Sequence, residues 1–280
     1  MTNKKRNPFL AVALSICVTG LGQMYNGQLF KAIIFCLFNC LITLFFATTH
    51  LLHSFKGFEV YLSIEICWSL FVISDSLYVS IKLKEIKLKS YNKLYFYILF
   101  SLVSALLYGA IEYGIVYNIV GLHDIHIPAL TSMKPTLVAG DYVYTDTKHY
   151  KTNNPQKNDI IVFKNPKDRS ASLISRIIAT EGDSIEIKSK KVFINGKEYP
   201  DTYSVHNDPF IFSTAEYPRD NFGPEIISQG KIFVMGDNRE MSLDSRFLGQ
   251  LDKNDIVSKV LYIYWSWDAV RWRRIGTEFK

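Results

Sequence analysis

A set of membrane helices followed by a mainly antiparallel β domain is the architecture predicted by this 280-residue sequence. Three observations predict it. The composition changes near residue 117: runs of Leu, Ile, Phe, Val and Ala dominate before it, and most of the Pro, Asp and Asn come after it. Before the change lie apolar runs at 29–52, 58–81 and 94–117, each long enough for the roughly 20 residues of a spanning helix. After it come short β-rich runs punctuated by turn residues, the pattern of an antiparallel sheet. The expected domains are a membrane region, 1–117, and an extracytoplasmic domain, 118–280. The second has about 160 residues, ample for its own core.

In the first region a shorter apolar run, 9–22, is broken by Gly20 and Gly22, and is expected as an interfacial or re-entrant helix rather than a span. Basic short loops mark the cytoplasmic side of a membrane. Lys4-Lys5-Arg6 is basic, as is 82–93 with five Lys against Glu85, so both are expected inside. An even number of crossings must then separate them. That assigns 29–52 outward, 58–81 inward and 94–117 outward, leaving 118–280 outside. A cleavable signal peptide is the competing reading of 1–22, although no clear small-x-small site precedes Met24. The stretch Thr19 to Gln28 resembles a Gly/Tyr motif of small bacterial two-helix membrane domains, where glycines suit close helix packing. Glu65, Asp75 and Glu112 are ionisable residues at or near membrane depth, which keeps a transport reading open. All four cysteines (Cys17, Cys36, Cys40, Cys67) lie in this region, so the second domain has no internal disulfide. Cys36 and Cys40 share a helix face, but without nearby His or carboxylate ligands they make a poor metal site.

In the second region strands are expected at 141–145, 159–163, 173–180, 184–187, 191–194, 232–235 and 256–265. Asn195-Gly196 between Ile194 and Lys197 signals a hairpin. Strand-like pattern begins at 127, no long amphipathic helix follows 120, and 203–229 reads as a loop-rich insertion. The tail from Trp265 to Arg274 mixes aromatics with cations, suiting either a membrane interface or a closing strand with a solvated basic end. Residues 1–117 hold ten Lys/Arg against five Asp/Glu, which accounts for +5 of the formal +6. The second domain is thus near neutral, without the basic face that nucleic-acid binding needs.

Three boxes carry the chemistry. They are Ser132-Met-Lys-Pro-Thr-Leu137, then Ile174-Ser-Arg-Ile-Ile-Ala-Thr-Glu-Gly-Asp183, then Gly236-Asp-Asn-Arg-Glu-Met-Ser-Leu-Asp-Ser-Arg-Phe247. In this order they resemble type I signal peptidase, the bacterial membrane serine protease that removes export signals. The resemblance covers about 118–270 and implies a signal-peptidase-like β fold. It also implies the cytoplasmic (inner) membrane as location, with several spans, and preprotein signal peptides with small residues before the cut as partners beside the lipid bilayer. No metal, organic cofactor or nucleic acid is implied. By the same resemblance Ser132 is the nucleophile, and Asp237, Arg239, Ser242, Asp244 and Arg246 support the site. A salt-bridged loop with no chemistry would use the same Asp and Arg residues.

Two departures bear on activity. The residue before the Arg of the middle box is the general-base Lys in the family, and here it is Ser175, a hydroxyl that does not accept a proton near neutral pH. The position two before the nucleophile, which in the family carries an oxyanion-binding hydroxyl, is Leu130, unless an insertion shifts Thr131 into that role. Glu240-Met241 replaces the usual Asp-Asn. General base catalysis contributes roughly 10²–10⁴-fold and one oxyanion donor about 10²–10³-fold. Loss of the larger alone takes a turnover of ~10 s⁻¹ to about 10⁻³ s⁻¹. Substitute bases within reach of the sequence are Lys134, His126, His149 and His206. The expected function is therefore signal-peptide removal by a membrane-bound serine endopeptidase. The alternative is an impaired or inactive homologue that binds signal segments or membrane partners without cleavage.

Overall fold

The computed structural model describes residues 3–83, 85–127, 131–213, 217–267 and 272–279. The chain divides into two compact units, Met1–Gly121 and Leu122–Lys280.

The first unit is helical. Asn7 caps α1 (Pro8–Cys17) by accepting from the N–H groups of Phe9 and Leu10, with Pro8 at the first helical position, where its missing N–H costs nothing. Gly20 at φ +92° turns the chain into α2 (Leu21–Tyr25), so the 9–22 run is broken where its glycines indicated. Then follow α3 (Leu29–Thr48), α4 (Phe55–Lys82) and α5 (Leu94–Gly109), the last continuing in π-helical winding over Ala110–Val120. Among the described residues three helices are long and apolar enough to cross a membrane: Leu29–Thr48, Phe55–Lys82 and Leu94–Val120. Their exposed faces carry Phe30, Leu41, Leu70, Ile98 and Leu106. Polar groups tie the helices together on the inside. Gln23 donates to Val72 O at 2.7 Å, Asn26 to Ser76 O at 2.8 Å, and Lys31 pairs with Asp75 at 2.5 Å. β1 (Asn3–Lys5) and β2 (Glu85–Lys87) form a small antiparallel ribbon.

The second unit is mainly antiparallel β. A seven-stranded sheet has the order β12-β11-β6-β5-β13-β4-β3. Its strands are β3 (Leu122–His126), β4 (Asp141–Asp146), β5 (Ile160–Lys164), β6 (Ser172–Thr180), β11 (Lys231–Met235), β12 (Leu251–Asp252) and β13 (Ile256–Ser266). A four-stranded sheet, β10-β7-β8-β9, is built from β7 (Ser184–Lys188), β8 (Lys191–Ile194), β9 (Lys197–Glu198) and β10 (Phe222–Ile226). Asn195 and Gly196, both at positive φ, close the β8–β9 hairpin. Among the described residues the α-helices that accompany these strands are short: α6 (His149–Thr152) and α7 (Ser245–Leu248).

Two sequence expectations need correction. The 203–229 stretch contains β10, which pairs with β7 at the edge of the smaller sheet. Gly223-Pro224 hides it, because proline is tolerated only on an edge or at a bulge, and here the register shifts between Phe222 and Glu225. Strand structure also begins at Leu122 rather than at 127, because His123 and Asp124 mask the alternation.

Candidate active site

The nucleophile candidate sits on a turn pinned from below. Met133 and Leu137 are fully buried against Ile127, Val143 and Ile160, while Ser132 and Thr136 stay at a half-buried rim. Burying side chains of this size stabilises by about 1.5–3 kcal/mol each. Leu137 N–H donates to Met133 O at 2.9 Å, closing the turn.

The loop after β11 forms the second wall. Asn238 N–H donates to Ser132 O at 2.9 Å, and Asn238 Nδ2 donates to Thr131 O at 3.1 Å. Between them lies Gly236. A Cβ at this residue would stand 2.5 Å from Ser132 O and 2.3 Å from Ser242 Oγ, so only glycine admits both neighbours. Gly236 N–H is shared between Ser242 Oγ (3.1 Å) and Asp244 Oδ2 (3.0 Å). Ser132, Ser242 and Asp244 thus meet around one residue without a Cβ.

β6 supplies the third wall. Asp237 is wholly buried and receives Arg176 bidentately, Nε to Oδ1 at 2.8 Å and Nη2 to Oδ2 at 2.7 Å, while Thr136 Oγ1 also donates to it. Arg176 pairs with Met235 across the sheet, and the next residues along are Ser175 and Gly236. Ser175 is 1% exposed and lies opposite the Arg176 face by the pleat. The position of the expected base therefore adjoins the corner that joins Ser132 to Ser242, and it carries a hydroxymethyl group in place of an amine.

The remaining expected residues hold this loop. Arg246 grips Asp244 with two bonds of 2.9 Å and donates to Arg219 O and Arg239 O. Arg239 donates Nε to Gly236 O at 2.9 Å and pairs with Asp201, not with Asp237. Arg239, Asp244 and Arg246 are nearly solvent-free, and removing one partner of such a pair costs about 3–5 kcal/mol. Burial pushes the Glu240 carboxyl up, but Asn207 N–H, His206 and Lys190 outweigh it and hold the group below its ordinary value.

Beside Ser132 opens a groove of about 580 Å³, lined by Thr131, His126, Leu173, Ile174 and Met241 among others. β11 pairs with β6 only over Arg176–Thr180, so among the described residues no strand pairs with Ser172 to Ser175 on that side. Of the four substitute bases only His126 lines this groove, stacked 4.4 Å from the Tyr142 ring. Lys134 lines a separate cavity of about 460 Å³ with Pro135 and Asn238. His149 stands beside Asp146 on α6, its pKa held below that of ordinary imidazole by burial and by Lys259. His206 Nδ1 lies 3.0 Å from Glu240 Oε1. Leu130 lies outside the described residues.

Two positions that hold the candidate site together escaped the sequence reading. Arg176 was visible only as part of a box, and nothing in its spacing named Asp237 as its partner. Arg274, in the tail expected to be interfacial or solvated, turns inward. It donates to Pro135 O and Thr136 O at 2.7 Å each and to Asp141 Oδ2 at 2.6 Å, so it clamps the Ser132 turn. A tail rich in Arg and Trp gives no sign of which cation turns in.

A family model for signal peptidase, peptidase S26, matches residues 99–265. Signal peptidase IB of Staphylococcus aureus strain COL is 34% identical over 142 residues, 48% of this chain and 73% of that protein. Signal peptidase I P of Bacillus subtilis subsp. natto is 34% identical over 141 residues, 50% of this chain and 75% of its own length. A crystal structure of a signal peptidase I from Enterococcus faecalis V583 aligns at 25% identity over 38% of this chain and 97% of that one, with a TM-score of 0.32. The family match spans more than half of the sequence and takes in all three boxes around Gly236, and on that ground the chain belongs to the signal peptidase family, peptidase S26.

Proposed function

We propose that this chain is a membrane-bound signal peptidase I-type protein that captures the cleavage region of exported preproteins and hydrolyses it slowly through Ser132. The observation that carries the reading is the corner at Gly236. Ser132 and Ser242 are held there, and the strand position beside them, Ser175, carries no amine. The unpaired edge at Ser172 to Ser175 suits a substrate added as a β-strand, with Ile174 and Leu173 lining an apolar groove for small side chains. Ser132 Oγ would attack the scissile carbonyl, its proton would pass to the leaving amine, and water would release the acyl group. Without a neutral amine to take that proton the step loses roughly 10²–10⁴-fold.

The membrane orientation belongs to the same reading. The β1–β2 ribbon sets Lys4 and Lys5 against Glu85–Lys87, which supports placing both basic segments on one side. By the positive-inside rule that side is cytoplasmic, so the β unit is outside. A second reading has His126 as the substitute base, favoured because it shares the groove with Ser132.

The deciding experiment compares preprotein cleavage by the full chain and by Ser175→Lys in detergent. The variant should cleave 10²–10⁴-fold faster. Its rate should rise with pH through the introduced amine's titration, and Ser132→Ala should abolish cleavage in either background. Equal rates for parent and Ser175→Lys would reject this account of the base. Loss of activity in His126→Ala alone would then establish the second reading. Signal-segment binding with no cleavage by any variant would establish a non-catalytic homologue.

A further inference from the structure

The turn that carries Ser132 has two sides. One borders the apolar groove with Leu173 and Ile174. The other borders the cavity of about 460 Å³ lined by Lys134, Pro135, Val205, Asn207 and Asn238 among others. Asn238 joins the two: it lines the cavity, while its N–H and Nδ2 donate to Ser132 O and Thr131 O.

The cavity is built into the fold. Its outer wall belongs to the 203–229 stretch, which bridges in parallel to Asn238 at Val205. Val205 N–H donates to Asp237 O at 2.7 Å, and Arg239 N–H donates to Val205 O at 3.1 Å. Asn207 N–H donates to Glu240 Oε2 at 3.0 Å. These bonds tie the wall to the loop that holds Ser132. The charge of the cavity is one-sided. Lys134 is exposed, and among the described residues no carboxylate lines the cavity with it. The acids of the surrounding loops are already matched: Asp237 by Arg176, Glu240 by Lys190 and His206, Asp208 by Arg219. The Lys134 ammonium therefore has no carboxylate partner among the described residues.

The turn also fixes where this cation stands relative to a bound peptide. A strand that seats the residues before the cut in the apolar groove brings its scissile carbonyl to Ser132. The residues after the cut then leave on the other side of the turn, over Lys134 and Pro135. Two residues separate Lys134 from Ser132, a span of at most ~7 Å, and a strand advances ~3.3 Å per residue. The first two residues after the cut are thus within reach. Their side chains alternate in direction, so one of them turns toward the cavity.

We propose that this cavity receives the first residues after the cut, and that Lys134 selects preproteins with an acidic residue at one of those two positions. A basic residue there would meet Lys134 with no carboxylate to offset the repulsion. The proposal rests on the reading of Ser132 as the attacking residue and of the apolar groove as the seat of the residues before the cut.

The test uses the full chain carrying Ser132→Ala, in detergent, so that a peptide is held without being cut. Three fluorescent peptides share Ala before the cut and differ only in the two residues after it, which are both Asp, both Asn or both Lys. The Asp peptide should bind about threefold more tightly than the Asn peptide and about tenfold more tightly than the Lys peptide, as befits a partly exposed ion pair. The differences should flatten at about 1 M salt, where charges are screened within ~3 Å. Lys134→Glu should reverse the order. Lys197→Glu, the same charge change on β9 of the smaller sheet, should leave it unaltered. In the parent chain kcat/KM for the three peptides should fall in the same order. Equal affinities for the three peptides would overturn the proposal, as would equal shifts in Lys134→Glu and Lys197→Glu. So would an equal gain from an Asp pair moved about six residues beyond the cut, since that would be attraction to the net charge of the chain. Charge-ordered binding without cleavage by the parent would keep the acidic preference and reject hydrolysis through Ser132. Failure of all three peptides to bind would reject the capture of preproteins, and this inference with it.

Discussion

Arg274 shows how a single residue governs the candidate site from a distance. Its guanidinium bonds two carbonyls of the Ser132 turn and the buried carboxylate of Asp141. Asp141 keeps Val138 N–H and Ser266 Oγ as other partners, so Arg274→Ala does not strand a bare charge. The expected cost is therefore at the lower end of the range for a buried pair, about 3 kcal/mol. Thermal unfolding of the full chain should register it. Amide exchange should quicken at 132–138, and a variant with unchanged exchange there would remove Arg274 from the turn. Ser132, Ser242, Asp244 and Arg246 were legible beforehand because each stands inside a contiguous box. The Arg176–Asp237, Arg239–Asp201 and Arg274–Asp141 pairs were not, because an ion pair across a fold leaves no spacing in the chain.

Among the elements, α2 is the most exacting. A Cβ on Gly22 would come 2.4 Å from Ala11 O and 2.4 Å from Ser76 Oγ, and Ser76 itself donates to Ala11 O at 3.0 Å. Gly22→Ala must push α1 from α4 or break that bond. Overpacking of this kind costs typically 1–3 kcal/mol, and a lower melting temperature in detergent is expected. An unchanged melting curve would mean that the helices approach less closely. Most strands were readable from alternation and turn residues, the Asn195-Gly196 hairpin above all. β10 was not, since Gly223 and Pro224 are ordinarily signs of a loop and only an edge position admits them.

At the scale of the molecule, two units of unlike chemistry share one chain, and each has its own test. The β unit is laced with carboxylates held below their ordinary range. Burial pushes Asp183 up, but Thr180 N–H, Lys157 and Asn195 pull it further down; burial likewise pushes Asp220 up against a stronger pull from Arg219, and Glu240 behaves in the same way. Groups depressed in the folded state stabilise it fully above their unfolded values near ~4, and lose that effect as pH falls through the folded ones. Near-UV circular dichroism of the full chain should therefore show a flat melting temperature from about pH 8 to 5 and a steep fall below ~4. A melting temperature preserved at pH 3 would deny these carboxylates their role. For the helical unit, protease added to intact spheroplasts should digest 118–280 and spare the 82–93 loop, whereas full protection of the β unit would reverse the orientation.

The clamp on the Ser132 turn also sets an order of events. Arg274 and its carbonyl partners are 138 and 139 residues apart in sequence. During synthesis the Ser132 turn emerges first, with Pro135 O and Thr136 O still solvated. The last part of the β unit to arrive is the part that locks it. A nascent chain thus presents Ser132 on a loose turn, and that turn becomes rigid only once the end of the β unit has been made and folded onto it.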